Sequence, residues 1–257
     1  MDPILIKALL IAIWAGIAGI DLLDGLTHIH RPIVTGLIVG LILGDVKTGL
    51  IVGASLELVW MGMVPLAGAQ PPNVVIGGII GTSIAILGKL DAQAAIGLAV
   101  PFAVAAQAGI TLLFTAFSPV MHKADEYAEE ANTAGINKIN YAGMAVLFVS
   151  YFICGFLPIY FGADKAAEIV NMIPQKIIDG LSVAGGMMPA IGFAMLLKIM
   201  LKKDYITFLL GGFLLVTYFK IPILALALIG LCIALYDYNS KSNQTVQVVE
   251  EEFEDGI

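Results

Sequence analysis

The sequence predicts an all-α polytopic membrane protein whose transmembrane helices are interrupted by broken or re-entrant hairpins, and three observations predict it. Of 257 residues, 59% are hydrophobic and 13% charged. A soluble domain has roughly half apolar and about a quarter charged residues. Stretches 58–88, 92–121 and 141–163 run 23 to 31 residues without Asp, Glu, Lys or Arg, and about 20 apolar residues are enough for a helix to cross the hydrocarbon layer. Nothing in the chain reads as the short alternating strands of a barrel, and lipid offers no partner to unpaired backbone groups, so these stretches are expected to be helical.

In chain order the apolar segments fall at 4–20, 33–44, 48–64, 74–90, 93–120, 140–162, 177–200, 205–219 and 221–238. Within the first, Lys7 is followed by the apolar stretch 8–20; a signal peptide is one reading, but no small-residue cleavage site precedes Asp21, which favours a retained membrane segment. Segments 33–44 and 205–219 hold 12 and 15 residues, too few to span alone. They read either as broken helices beside a substrate site or as parts of full spans with a charge near one end. Two passages are rich in glycine. In 36–53 the string GLIVG occurs twice at a 13-residue interval, and 183–198 reads VAGGMMPAIGFAMLLK. Small residues let membrane helices approach closely, which alone accounts for both; a functional break is expected where Gly joins Pro and polar residues.

Four regions follow. Residues 1–121 form N-terminal membrane helices carrying the candidate site, 122–140 a polar, partly helical connector, 141–238 C-terminal membrane helices, and 239–257 an acidic disordered tail. The net charge is −7, and the five acids from Glu250 onward leave only −2 for the rest, which argues against nucleic-acid binding. Lys198, Lys202 and Lys203 suggest a cytoplasmic loop. Cys154 and Cys232 sit in apolar runs and read as small core residues, with no disulfide or metal framework.

Ionisable groups inside membrane segments are costly and mark function by default. Glu57 is the only charge between Thr48 and Gly88. It must be paired, hydrogen-bonded or protonated, so a substrate or coupling role competes with structural pairing. Asp21, Asp24, His28, His30 and Arg31 form a second constellation, and helical spacing puts Asp21, Asp24 and His28 on one face. Carboxylates suit sugar hydroxyls because each accepts two charge-assisted hydrogen bonds; the bland reading is a solvated helix end stopped by Pro32. Zinc is a weak third reading, since no further ligand cluster supports it. Gln70 and Asn73 flank Pro71-Pro72 inside a long apolar run. Proline stops the helix and frees carbonyls and amides for a neutral polyol or acetamido group, unless the segment is a loop without ligand. The string from Asp21 to Gly25 also echoes the start of a lipid-head-group phosphotransferase signature, but Thr27-His28 follow and 36–44 carries no acid.

The stretch 30–62, with its Arg-Pro, its Leu-Gly-Asp-x-x-Thr-Gly step and its Leu-Glu, resembles the IIC membrane component of the mannose/fructose/sorbose-type sugar phosphotransferase system. The resemblance runs through AGAQPPN, the 122–140 connector, the 183–198 passage and the acidic end. Gly19-Ile20-Asp21 and Gln70-Pro71-Pro72-Asn73 are similar to the N-acetylgalactosamine/galactosamine branch. The family implies a multi-pass permease of the bacterial inner membrane, forming a trimer of IIC–IID pairs embedded in lipid. Soluble IIA and IIB partners would supply the phosphoryl group for an amino sugar. No catalytic residue, metal or cofactor is expected in this chain. Asp21, Asp24, Glu57, Gln70 and Asn73 are the candidate substrate-binding residues, with an elevator-like or gated movement implied by the family. The alternatives are an ion-coupled secondary transporter using Glu57, a metal-dependent lipid head-group enzyme, and a purely structural subunit.

Overall fold

The computed structural model describes residues 3–25, 27–63, 71–162 and 174–254, with side chains at all of these except 204 and 241–254. Among the described residues every regular element is helical: α1 (Pro3–Ile20), continued by a π turn at Asp21–Gly25, then α2 (Pro32–Leu43), α3 (Val46–Trp60), α4 (Val74–Gly88), α5 (Ala92–Glu129), α6 (Thr133–Gly162), α7 (Gln175–Met200), α8 (Ile206–Thr217) and α9 (Ile223–Glu254). Five described segments are long and apolar enough to cross a membrane, namely Pro3–Gly25, Ala92–Glu129, Thr133–Gly162, Gln175–Met200 and Ile223–Ser240. The chain forms two compact units, Met1–Ile199 and Met200–Ile257.

Short helices occur where the sequence predicts interruptions. The 12 residues of α2 reach about 18 Å, against about 30 Å of hydrocarbon. Pro32 opens α2 at a position that needs no backbone N–H, and Gly44 closes it at φ 97°, a left-handed conformation a side chain would strain. Asp45 then caps α3, accepting from the Thr48 amide at 3.0 Å and the Thr48 hydroxyl at 2.6 Å. Lys7 reaches across from α1 to the Leu43 carbonyl at 3.3 Å. The two GLIVG strings prove to be the facing surfaces of this α2–α3 hairpin. A Cβ on Gly36 would strike the carbonyl of Gly49, and one on Gly49 would strike the carbonyl of Gly36. The repeat is thus a backbone-to-backbone contact, the close packing that small residues permit.

The first unit is built around α1, α4 and α6. Gly16 and Gly19 of α1 lie under the rings of Phe148 and Tyr151 of α6, and Gly155 of α6 lies on Ala12 and Ala15. Ile11, Val75, Ile76, Ile79 and Tyr151 are fully or almost fully buried between these helices. A second apolar cluster joins Val52, Leu56 and Trp60 of α3 to Ala95, Ala99 and Ala103 of α5. Helix α7 adds two glycine crossings, Gly185 on Gln93 and Gly97 of α5, and Gly192 on Leu58 and Val59 of α3.

The polar interval 122–140 is carried by helices: α5 continues to Glu129, and α6 begins at Thr133 after a turn with Ala131 at φ 51°. In the second unit α9 extends to Glu254, whereas the sequence leads one to expect an unstructured tail from 239. No Gly or Pro occurs between Leu231 and Glu254, so nothing local stops the helix.

Candidate functional site

Two polar clusters form where helices break in the first unit. The first begins at the end of α1. The wider π turn at Asp21–Gly25 rotates successive residues less than an α-helix does, and the chain leaves the helix after it. The shared face expected for Asp21, Asp24 and His28 therefore does not form: Asp21 is buried, Asp24 is exposed, and His28 lies in the following loop at φ 65°.

Asp21 instead gathers that loop around its carboxylate. One oxygen accepts from the Thr27 amide at 2.7 Å and the Thr27 hydroxyl at 2.5 Å; the other accepts from the His30 amide at 3.1 Å and lies 2.7 Å from His30 Nδ1. Four donors on one carboxylate compensate its removal from water. The next residue, Arg31, precedes α2 and forms an ion pair with Glu57 of α3, its Nε donating to Glu57 Oε1 at 2.6 Å. The Ile33 amide at the start of α2 donates to the other Glu57 oxygen at 3.4 Å. The pair is partly accessible, with side-chain exposures of 32% for Arg31 and 18% for Glu57. Glu57 thus has the partner that the structural-pairing reading required, and the same contact fastens α3 to the first turn of α2. Because residues 30 and 31 are consecutive, the Asp21–His30 and Arg31–Glu57 pairs follow one another along the chain as one polar tract.

The second cluster is neutral. Asn73 caps α4, its Oδ1 accepting from the Ile76 amide at 3.1 Å. Its Nδ2 donates to Tyr151 Oη at 2.6 Å and Gln107 Oε1 at 3.2 Å, and its own amide donates to the Ala103 carbonyl at 3.0 Å. Both amide hydrogens are thereby used, and the residue is 1% exposed. Asn73 ties α4, α5 and α6 together. Gln70 lies outside the described residues. Asp24 and Asn73 are not brought into contact with the Asp21–Glu57 tract by any hydrogen bond among the described residues. Among the described residues no three His, Cys, Asp or Glu side chains converge as metal ligands do.

Tyr151 and Gln107 were not legible as site residues, because each sits in a long apolar segment with no local polar pattern. Arg31 and His30 stood in the second constellation, but their attachment to Glu57 and Asp21 joins residues 26 and 9 positions apart.

Residues 5–236 match the family model described as the PTS system sorbose-specific IIC component. The chain belongs to this family. It is 37% identical to N-acetylgalactosamine permease IIC component 1 of Escherichia coli (strain K12), over 98% of both chains. It is 33% identical to the sorbose-specific EIIC component of Lacticaseibacillus casei, covering 90% of this chain and 83% of that one. A solved structure titled as the mannose transporter ManYZ with microcin E492 superposes with TM-score 0.58 at 29% identity, over 91% of this chain and 95% of that one. This IIC component is therefore a sugar permease of the mannose/sorbose class, an integral protein of the bacterial inner membrane. That membership displaces the ion-coupled carrier and the lipid enzyme as readings of its carboxylates.

Proposed function

We propose that this IIC component carries an amino sugar, N-acetylgalactosamine or galactosamine, to a soluble IIB partner that phosphorylates it as it arrives. The relative at 37% identity over essentially the whole length bears the name of an N-acetylgalactosamine permease. A second, a putative N-acetylgalactosamine permease IIC component 2 of the same organism, is 56% identical over 125 residues, which is 49% of this chain and 94% of that one. A IID subunit, in a trimer of IIC–IID pairs surrounded by lipid, completes the pathway in this proposal, and IIA recharges IIB.

The observation that carries the reading is the polar tract at the start of α2. A buried aspartate, a histidine and an arginine–glutamate pair are held between apolar helices where α1, long enough to span, ends and α2, too short to span, begins. Groups so expensive to remove from water are retained where a hydrated solute passes. Glu57 and Arg31 offer charge-assisted acceptors and donors to ring hydroxyls, and Asp21 shapes the loop that presents them. Asn73 acts from behind, holding the start of α4 in place. Gln70 and Asp24 remain candidates for further hydroxyl contacts. Phosphorylation makes transfer directional, because the anionic sugar phosphate no longer suits the path by which the unphosphorylated sugar entered.

Uptake of radiolabelled N-acetylgalactosamine by cells co-expressing this chain with IID, IIB and IIA tests the reading. Accumulation of phosphorylated N-acetylgalactosamine that depends on phosphoenolpyruvate is expected, with unlabelled galactosamine competing better than mannose. Accumulation of mannose alone would contradict the amino-sugar assignment.

A further inference from the structure

The ring of His30 carries an atom that the protein leaves unused. His30 is 5% exposed, and its Nδ1 lies 2.7 Å from Asp21 Oδ2. That carboxylate oxygen only accepts, so Nδ1 carries the hydrogen and donates it there, which leaves Nε2 as the ring's other polar atom. The His30 amide also donates to Asp21 Oδ2, so backbone and ring are held by the same oxygen and the ring cannot turn without breaking that contact. Among the described residues no protein group meets Nε2, yet it is not among the enclosed polar atoms without a partner, which are Trp60 Nε1, Thr82 Oγ1 and Ser83 Oγ. Nε2 is therefore unpartnered but accessible. Asp21, Thr27 and Asn73 spend their polar atoms on the protein; His30 does not.

We infer that His30 is a sugar-binding residue, its Nε2 hydrogen-bonding a ring hydroxyl of the transported sugar, and that Asp21 is the positioning residue that fixes the ring for it. This rests on the permease reading above and adds a contact to that same site. His30 directly precedes Arg31, so the ring and the arginine of the Arg31–Glu57 pair are carried by the same short stretch before α2. An imidazole nitrogen suits the task. A hydroxyl can donate to it or accept from it, and a hydroxyl that cannot reach it loses a hydrogen bond the site is built to make.

Two substitutions separate the binding role from a structural one. In His30→Asn the amide nitrogen takes the place of Nδ1 and keeps the Asp21 contact, but nothing stands where Nε2 was. In His30→Gln a polar atom reaches the Nε2 position and the Asp21 contact is lost. Both are measured as initial rates of radiolabelled N-acetylgalactosamine uptake with IID, IIB and IIA present, normalised to membrane-inserted protein. The expected result for His30→Asn is normal insertion, a KM raised about tenfold or more and a maximal rate changed far less. His30→Gln is expected to recover part of that affinity while inserting less well. Wild-type KM in His30→Asn would overturn the assignment, because the Asp21 contact alone would then suffice. Should the wild-type chain move mannose instead, the amino-sugar assignment fails by itself, and the same two variants measured on the transported sugar still decide the role of His30.

Discussion

The two polar clusters of the first unit answer the same problem in opposite ways. Each stands at a broken helix among apolar neighbours, where freed backbone and side-chain groups must find partners. At the start of α4 the solution is closed: Asn73 meets Ile76, Tyr151, Gln107 and Ala103, and both hydrogens of its amide are committed. At the start of α2 the solution is charged and open on one side. Asp21 is saturated, but the Arg31–Glu57 pair is partly accessible and His30 Nε2 has no protein partner among the described residues. In the proposed reading, saturation marks a joint, and spare hydrogen-bonding capacity marks a place for a ligand.

The sharpest way to break this contrast is to separate the elements that bring the charged cluster together. Gly36→Leu drives a side chain into the Gly49 carbonyl and the Gly53 backbone, where nothing flexible can yield. The expected cost is about 3 kcal/mol or more, seen as loss of the folded protein from detergent-solubilised membranes. A milder disturbance is Glu57→Gln, which leaves Arg31 without a counter-charge. Uptake per folded protein should fall on the order of 100-fold, while stability falls by about 1–2 kcal/mol because the pair is partly solvated. Reversing both charges in Arg31→Glu/Glu57→Arg should restore the stability and leave uptake low; recovery of uptake would make the pair a fastening only. The smallest effect belongs to the closed cluster. Tyr151→Phe removes one acceptor from Asn73, costing about 1 kcal/mol in thermal unfolding and leaving the KM for sugar unchanged.

Much of the architecture was readable in the chain because lipid leaves few choices. Charge-free runs of span length became α5 and α6, and the interruptions at 33–44 and 205–219 became the short helices α2 and α8. The repeated GLIVG was legible as close packing, but not as a hairpin packing on itself, since that depends on the sharp reversal at Gly44-Asp45. Periodicity failed at Asp24 and His28 because a π turn replaces the α geometry on which the count rests. The isolation of Glu57 in sequence pointed to a partner without naming it; Arg31 becomes that partner only when the hairpin folds back. Tyr151 gave no signal, as a hydroxyl in an aromatic-rich helix reads like any other core ring until Asn73 is placed beside it.

The most direct measurement is amino-sugar uptake divided by the amount of folded, membrane-inserted chain, taken in parallel for Glu57→Gln and Asn73→Ala. Losing the α4 cap and its bond to Tyr151 should lower the amount of folded Asn73→Ala, by about 2 kcal/mol in stability, with uptake per folded molecule near the parent's. Glu57→Gln should show the reverse, a loss of transport per folded molecule far larger than its loss of folded protein. The opposite pattern, with normal transport by Glu57→Gln and a transport defect in well-folded Asn73→Ala, would move the sugar from the charged break to the neutral one.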